Sequence, residues 1–283
     1  MNDRRQRPRS LWLERLGAEL LKPFSAQVRA RAREPLFLRM LLAGLPPGGT
    51  LVEIGSSDGC ETIEAFRSGR CERAVIIEPD ARNIASIRAA LAAARIPADK
   101  VDIVNGGISD VAGVRPFYLH PTRSNFNSAL EAGPDAQQVD VRFVTLPQLL
   151  AEQSVAPPLL IKMDIEGYEV EVLKGAMDYL LQHPSVAILM ELHPQLYDAA
   201  RSLGAQMGKL LANGYQARFV ESAGTPVPPS FKRLGLSPRL ISGRRGLYHD
   251  VAPDDALALC CRLQPEGEGK AARSVLLAGP AYG

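Results

Sequence analysis

Two acids two residues apart sit in the most chemically loaded run of the chain, Leu159-Leu160-Ile161-Lys162-Met163-Asp164-Ile165-Glu166-Gly167-Tyr168-Glu169. An apolar strand followed by Asp164, Glu166, a glycine and a new helix places both carboxylates at a strand's carboxyl end, where open α/β sheets bind ligands. A second run, Met190-Glu191-Leu192-His193-Pro194, brings an acid and an imidazole to the end of the next apolar segment. Carboxylates and an imidazole so placed can accept a proton from a weak acid such as a hydroxyl, which makes Asp164, Glu166 and His193 the catalytic candidates. Oxygen-rich strand ends can instead hold Mg²⁺, a reading not favoured here because no Asp-Asp-Asn set is present. Lys162 has two readings of equal standing, a catalytic amine or the partner of an inner carboxylate.

A third run offers different chemistry. Leu51-Val52-Glu53-Ile54 leads directly into Gly55-Ser56-Ser57-Asp58-Gly59. Glycine lets the backbone turn tightly against a ligand, and the helix that follows offers unpaired N–H groups. The spacing is GxxxG, not the GxGxxG dinucleotide fingerprint, and no Walker Lys-Ser/Thr follows. The next apolar run ends in Glu78, 23 residues after Gly55, where a carboxylate can accept hydrogen bonds from both hydroxyls of a ribose. Loop and acid together point to a ribose-bearing cofactor. Without a pyrophosphate loop, an S-adenosyl compound suits them better than NAD.

These groups need a scaffold that brings strand ends together. Short β-branched runs at 51–54, 74–77, 101–104, 159–163 and 186–190 alternate with helical patterns, notably 81–94 and 169–181. Near-continuous apolar strands alternating with helices predict a doubly wound α/β domain with a buried, mostly parallel sheet. Runs at 114–120 and 139–145 read as an inserted antiparallel pair. A helix at 200–212, a strand at 215–221, a Pro/Gly/Arg-rich connection over 222–245 and a strand at 246–251 follow. The domain is expected over 44–262, with a loose tail at 263–283. Ahead of it, residues 1–43 read as a basic arm with two helices, at 11–21 and 26–42. An arginine-rich arm beside an amphipathic helix can rest weakly on an anionic membrane surface; the simpler reading packs the helices on the domain.

The run IKMDIEGYEVEVLKGA followed by ILMELHP resembles the FkbM family of S-adenosylmethionine-dependent methyltransferases, over about residues 50–195. VEIGSSDG and IIEPD fall where that family has its glycine-rich loop and ribose-binding acid, and VNGGISDVAG and VTLPQLL match in position. The resemblance implies a Rossmann-like class I methyltransferase fold with seven strands, S-adenosyl-L-methionine as cofactor, and O-methylation of a sugar, glycan or secondary-metabolite hydroxyl. It further implies that Glu53, Gly55, Ser57, Asp58 and Gly59 surround the cofactor's amino-acid part, with Asp164 near its methyl. Glu78 would hold the ribose, while Asn105, Gly107 and Ile108 would meet the adenine. Ser124-Asn125-Phe126-Asn127-Ser128 is a polar loop suited to a sugar. Two segments depart from the family pattern: Glu53-Ile54-Gly55-Ser56-Ser57-Asp58-Gly59 stands where the family has Asp-x-Gly-Ala-Asn-x-Gly, keeping the charge and hydrogen-bonding groups, and Thr145-Leu146-Pro147 replaces Thr-Leu-Asp and so loses a carboxylate that can cap the next helix. A catalytically silent cofactor-binding scaffold is the alternative, and an NAD-dependent oxidoreductase is disfavoured by the loop.

Composition sets the outer bounds. The 283 residues are 46% hydrophobic and 23% charged, with 33 Lys+Arg against 31 Asp+Glu. That is too apolar for wholesale disorder and too balanced to make nucleic acid the default partner. Charges or prolines interrupt every apolar stretch before the roughly 20 residues needed to span a bilayer. Cys60, Cys71, Cys260 and Cys261 show no CxxC pairing and read as reduced thiols of a cytoplasmic protein. Leu11-Trp12-Leu13-Glu14-Arg15 interrupts any signal-peptide core with charge.

Overall fold

Valine, isoleucine and leucine concentrate in short runs, and those runs are the strands of the computed structural model, which describes residues 35–122, 127–130, 135–264 and 269–282. In chain order the first strands are β1 (Gly49–Ile54), β2 (Cys71–Glu78), β3 (Val101–Asn105), β4 (Gly107–Ile108), β5 (Gly113–Leu119), β6 (Gln137–Val144), β7 (Leu159–Met163) and β8 (Val186–Glu191). Then come β9 (Gln216–Ser222), β10 (Leu240–Ser242), β11 (Arg245–Val251), β12 (Leu263–Gln264), β13 (Gly269–Lys270) and β14 (Ala272–Ala278). The main sheet has nine strands in the order β10-β11-β9-β14-β8-β7-β1-β2-β3. β3, β2, β1, β7 and β8 run parallel, whereas β14 is antiparallel to both β8 and β9. β4, β6 and β5 form a second, small sheet. It contains the expected antiparallel pair, β5 with β6.

The helices are α1 (Pro35–Gly44), α2 (Cys60–Arg67), α3 (Ala81–Ala93), α4 (Leu146–Glu152), α5 (Glu169–Gln182), α6 (Leu203–Ala212), α7 (Pro229–Arg233) and α8 (Pro253–Cys260). Strand alternation sends side chains to two cores. Leu160 and Leu189 pack with Met40 and Leu41 of α1, while Ile161 and Ile188 pack with Leu173 of α5 and Leu210 of α6. All five residues of β7 are buried, each apolar one contributing about 1.5–3 kcal/mol. The missing carboxylate before α4 is made good by a capping box: Thr145 accepts from the Gln148 N–H, and the Gln148 side chain accepts from the Thr145 N–H at 2.9 Å.

The structure departs from the sequence expectation in several places. The sheet has nine strands where seven are expected. The segment expected as a loose tail contains β14 (Ala272–Ala278), which lies buried between β8 and β9. The Gly/Glu-rich stretch before it masks a strand whose value to the fold comes from two non-local neighbours. The connection 222–245 contains α7 and β10, so its Pro/Gly content marks turns between short elements. α1 belongs to the domain core: Met40 is fully buried, and Tyr282 donates to the Gly44 carbonyl. The helix expected at 11–21, the beginning of the 26–42 helix, and Ser124, Asn125 and Phe126 fall outside the described residues. No helix among the described residues is long and apolar enough to cross a membrane, and all four cysteines are free thiols.

Candidate active site

Strand order reverses between β1 and β7, the topological switch point at which such sheets open a crevice. The Asp164 N–H reaches the Ile54 carbonyl at 3.4 Å, so the glycine loop and the acidic run meet there. Gly55 has φ +75, and a Cβ on it would lie 2.6 Å from the Asp164 carbonyl oxygen. Only glycine fits both the left-handed backbone and that approach. Ser57 and Glu166 also take positive φ, 61° and 51°, at a cost of about 1 kcal/mol each. Such strain gathers where surrounding structure holds a site in place.

A narrow cleft, partly open to solvent, lies over this junction. Gly55, Ser57 and Glu78 line one part of it, Gly106, Gly107 and Ile108 another, and Asp164 and Glu166 a third. Ile77, Phe117 and Phe143 give it apolar walls. Glu78 is nearly buried: one oxygen accepts from the Ser57 N–H at 3.3 Å, the other from the Asp80 N–H at 2.9 Å and the Asn83 amide at 3.2 Å. Burial raises its pKa despite these donors. Asn127, at the cleft wall, donates to Asp80 at 2.8 Å and accepts from the His120 N–H, tying the end of the polar loop to the head of α3.

Four expected contacts with the cleft are absent. Glu53 is fully buried beneath the loop, where Thr62 Oγ1 donates to it at 2.5 Å and Lys162 Nζ stands 3.8 Å away. Burial pushes its carboxyl up to about 7 against the Lys162 charge. Asp58 accepts from the Cys60 N–H at the start of α2. Gly59 caps that helix with φ 75 and faces Ile87. Asn105 spends its amide on the carbonyls of Glu78 and Pro79, at 3.1 and 2.9 Å. These residues shape the loop from behind. Lys162 is the partner of inner carboxylates, with Glu53 at 3.8 Å and Glu61 at 4.0 Å.

Behind Asp164 and Glu166 lies a charge cluster. His193 Nε2 is 3.5 Å from Glu166 and 3.8 Å from Asp164, and its Nδ1 is 3.2 Å from Glu169 Oε1. Glu169, fully buried at the start of α5, also accepts from the Tyr197 hydroxyl at 3.0 Å and the Ile165 N–H at 3.3 Å. Burial alone would lower the His193 pKa. The Glu169 hydrogen bond, then the charges of Glu169, Asp164 and Glu166, outweigh it and hold the ring up to about 9. Burial, reinforced by Asp164, pushes Glu191 up to about 7, with Arg273 at 3.3 Å in opposition. Asp164, Glu191 and His193 bring donor atoms within 4.8 Å of one another. Metal coordination needs a neutral ring, so a metal here would have to displace the proton that the surrounding carboxylates favour on His193. Glu169 was legible only as the last acid of the run. Its pairing with an imidazole 24 residues on is a tertiary contact.

The Methyltransferase FkbM domain family matches residues 53–217. No curated protein matches the chain. Among solved structures, a methyltransferase FkbM from Methylobacillus flagellatus KT is similar at 15% identity and a TM-score of 0.37, covering 65% of this chain and 48% of its own. This chain therefore spans about half the length of that protein. An NADB-Rossmann superfamily protein from Streptococcus agalactiae shows 12% identity and a TM-score of 0.41, with 79% and 72% covered. The C-terminal domain of precorrin-6Y C5,15-methyltransferase from Rhodobacter capsulatus shows 14% identity and a TM-score of 0.41, with 86% of each covered.

Proposed function

The chain belongs to the FkbM methyltransferase family, and from that premise we propose that it transfers a methyl group from S-adenosylmethionine to a hydroxyl oxygen of a sugar, glycan or similar metabolite. The observation that carries this reading is a single cleft holding Glu78 at one strand end and Asp164 and Glu166 at another. The donor set fits the cofactor. Glu78 would take the ribose hydroxyls, Ile77, Ile108 and Phe143 the adenine faces, and the narrow backbone at Gly55 the amino-acid part. Bound there, the cofactor supplies a methyl on a sulfonium, already an excellent leaving group.

The chain's own residues then align the acceptor and remove its proton. At neutral pH the protonated His193 is a poor base, which supports Glu166, or Asp164 beside it, as the proton acceptor. The imidazolium, 3.5 Å from Glu166, sets a positive charge beside both carboxylates. A negatively charged crevice also suits a cationic sulfonium. Calorimetry with S-adenosylhomocysteine and with NAD, followed by transfer of labelled methyl to hydroxylated acceptors, tests the reading. We expect binding of the first ligand only and label on oxygen. Binding of NAD alone would replace it with an oxidoreductase, and cofactor binding without transfer to any acceptor would leave a silent scaffold.

A further inference from the structure

One edge of the main sheet differs in charge from the rest of the chain. From Ser222 to His249 there are five Lys or Arg residues and no Asp or Glu, although the whole chain is nearly balanced. Four of the five, Lys232, Arg233, Arg239 and Arg244, are exposed. Among them stand three exposed aliphatic side chains, Val227 at 42%, Leu234 at 39% and Ile241 at 61%. Scattered aliphatic residues are ordinary on a protein surface, but three within a cationic, acid-free segment are not.

The surface is built, not loose. β10 is the last strand of the sheet. Its Ile241 is paired with Gly246, on the side where a Cβ at Gly246 would meet the Pro238 ring at 2.9 Å. Arg244 Nε donates to the Gly224 carbonyl at 3.0 Å, and the Tyr248 hydroxyl to the Pro226 carbonyl at 2.8 Å. Phe231 of α7 packs on the Tyr248 ring at 4.2 Å between centroids. The β10–β11 hairpin, the 224–228 loop and α7 therefore form one unit. Glu221, on β9, is fully buried and 3.2 Å from Arg245. Asp250 follows at the far end of β11.

We infer that this edge docks on an anionic lipid bilayer, with Ile241, Leu234 and Val227 entering the interface and Lys232, Arg233, Arg239 and Arg244 meeting lipid phosphates. A segment that combines exposed cations with exposed aliphatic side chains is what an anionic interface accepts. A single-stranded nucleic acid would call for exposed aromatic side chains to stack on bases, and the aromatics of this segment, Phe231 and Tyr248, are buried; a duplex, held through its phosphates, would leave the aliphatic side chains without a role.

The test is co-sedimentation of the full chain with vesicles of phosphatidylglycerol and phosphatidylcholine, against vesicles of phosphatidylcholine alone. Binding is expected only with the anionic lipid, falling as salt rises. K232E/R239E should weaken it on the order of tenfold or more. Ile241→Asp, with every base retained, should weaken it several-fold through lost insertion. Because these side chains are exposed, melting temperatures should stay within a degree or two of the parent. Undiminished binding in both variants would assign the attachment to the N-terminal residues and overturn the proposal. So would the absence of vesicle binding, or binding to duplex RNA that Ile241→Asp leaves intact.

Discussion

Replacing Glu169 with Gln removes one negative charge from the cluster while keeping the side chain's shape and a hydrogen-bonding oxygen. His193 titrates near 6.5 when unfolded and near 9 in the folded chain. At about 1.4 kcal/mol for each pH unit, that difference amounts to about 3 kcal/mol of pH-dependent stability. A raised imidazole pKa contributes stability that is fully present below about pH 6.5 and is lost as pH rises through about 9. Glu169 is the first raising influence, by hydrogen bond and by charge, ahead of Asp164 and Glu166, so E169Q should remove much of the effect, on the order of 2 kcal/mol. Urea unfolding of both proteins at pH 6.5 and pH 9 measures it, with Glu53 and Glu191 cancelling between parent and variant. The variant should be less stable by about 2 kcal/mol at pH 6.5, with the gap closing or reversing at pH 9. NMR titration of the histidine rings should show His193 moving down toward its ordinary value. An equal gap at both pH values, or a His193 ring that titrates near 6.5 in the parent, would refute the cluster.

Glu78→Gln should weaken S-adenosylhomocysteine binding by about 1.5–3 kcal/mol, the worth of a charged hydrogen bond; unchanged affinity by calorimetry would remove Glu78 from the cofactor site. Glu166→Ala should lower kcat by about 100-fold with cofactor affinity retained, as expected for loss of a general base, and an unaltered kcat would pass the role to Asp164. Gly55→Ala should destabilise the fold by more than about 1 kcal/mol, since its Cβ would lie 2.6 Å from the Asp164 carbonyl in a backbone with φ +75; a parent-like unfolding midpoint in urea would contradict that geometry. EDTA should leave methyl transfer unchanged, and a loss restored by Mg²⁺ would make the Asp164, Glu191 and His193 cluster a metal site.

The parallel half of the sheet was legible because each strand announces itself locally, by an apolar run bounded by turn residues. The ends of those strands carried the site with them: Gly55, Ser57, Glu78, Gly107, Ile108, Asp164 and Glu166 all line the cleft. Glu53 was misread because sequence spacing locates a carboxylate along a strand but does not say which face of the sheet covers it. In the fold that face is the core side, where Lys162 waits at 3.8 Å. For a related reason Asn105 and Asp58 do not line the cleft. A short polar side chain beside a ligand loop can satisfy the loop's own backbone as readily as a ligand, and both do so here.

What the sequence determined by itself is the set of strand ends and the chemistry written on them, since hydrophobic periodicity and turn residues act over a few positions. Tertiary structure alone decided three things. It inserted β14 from the end of the chain between β8 and β9, a placement visible only through non-local pairing. It joined Glu169 to His193, setting the protonation state of the imidazole through burial and neighbouring charge. And it gathered the bases and aliphatic tips of 222–249 onto one sheet edge, turning an unremarkable linker composition into a surface.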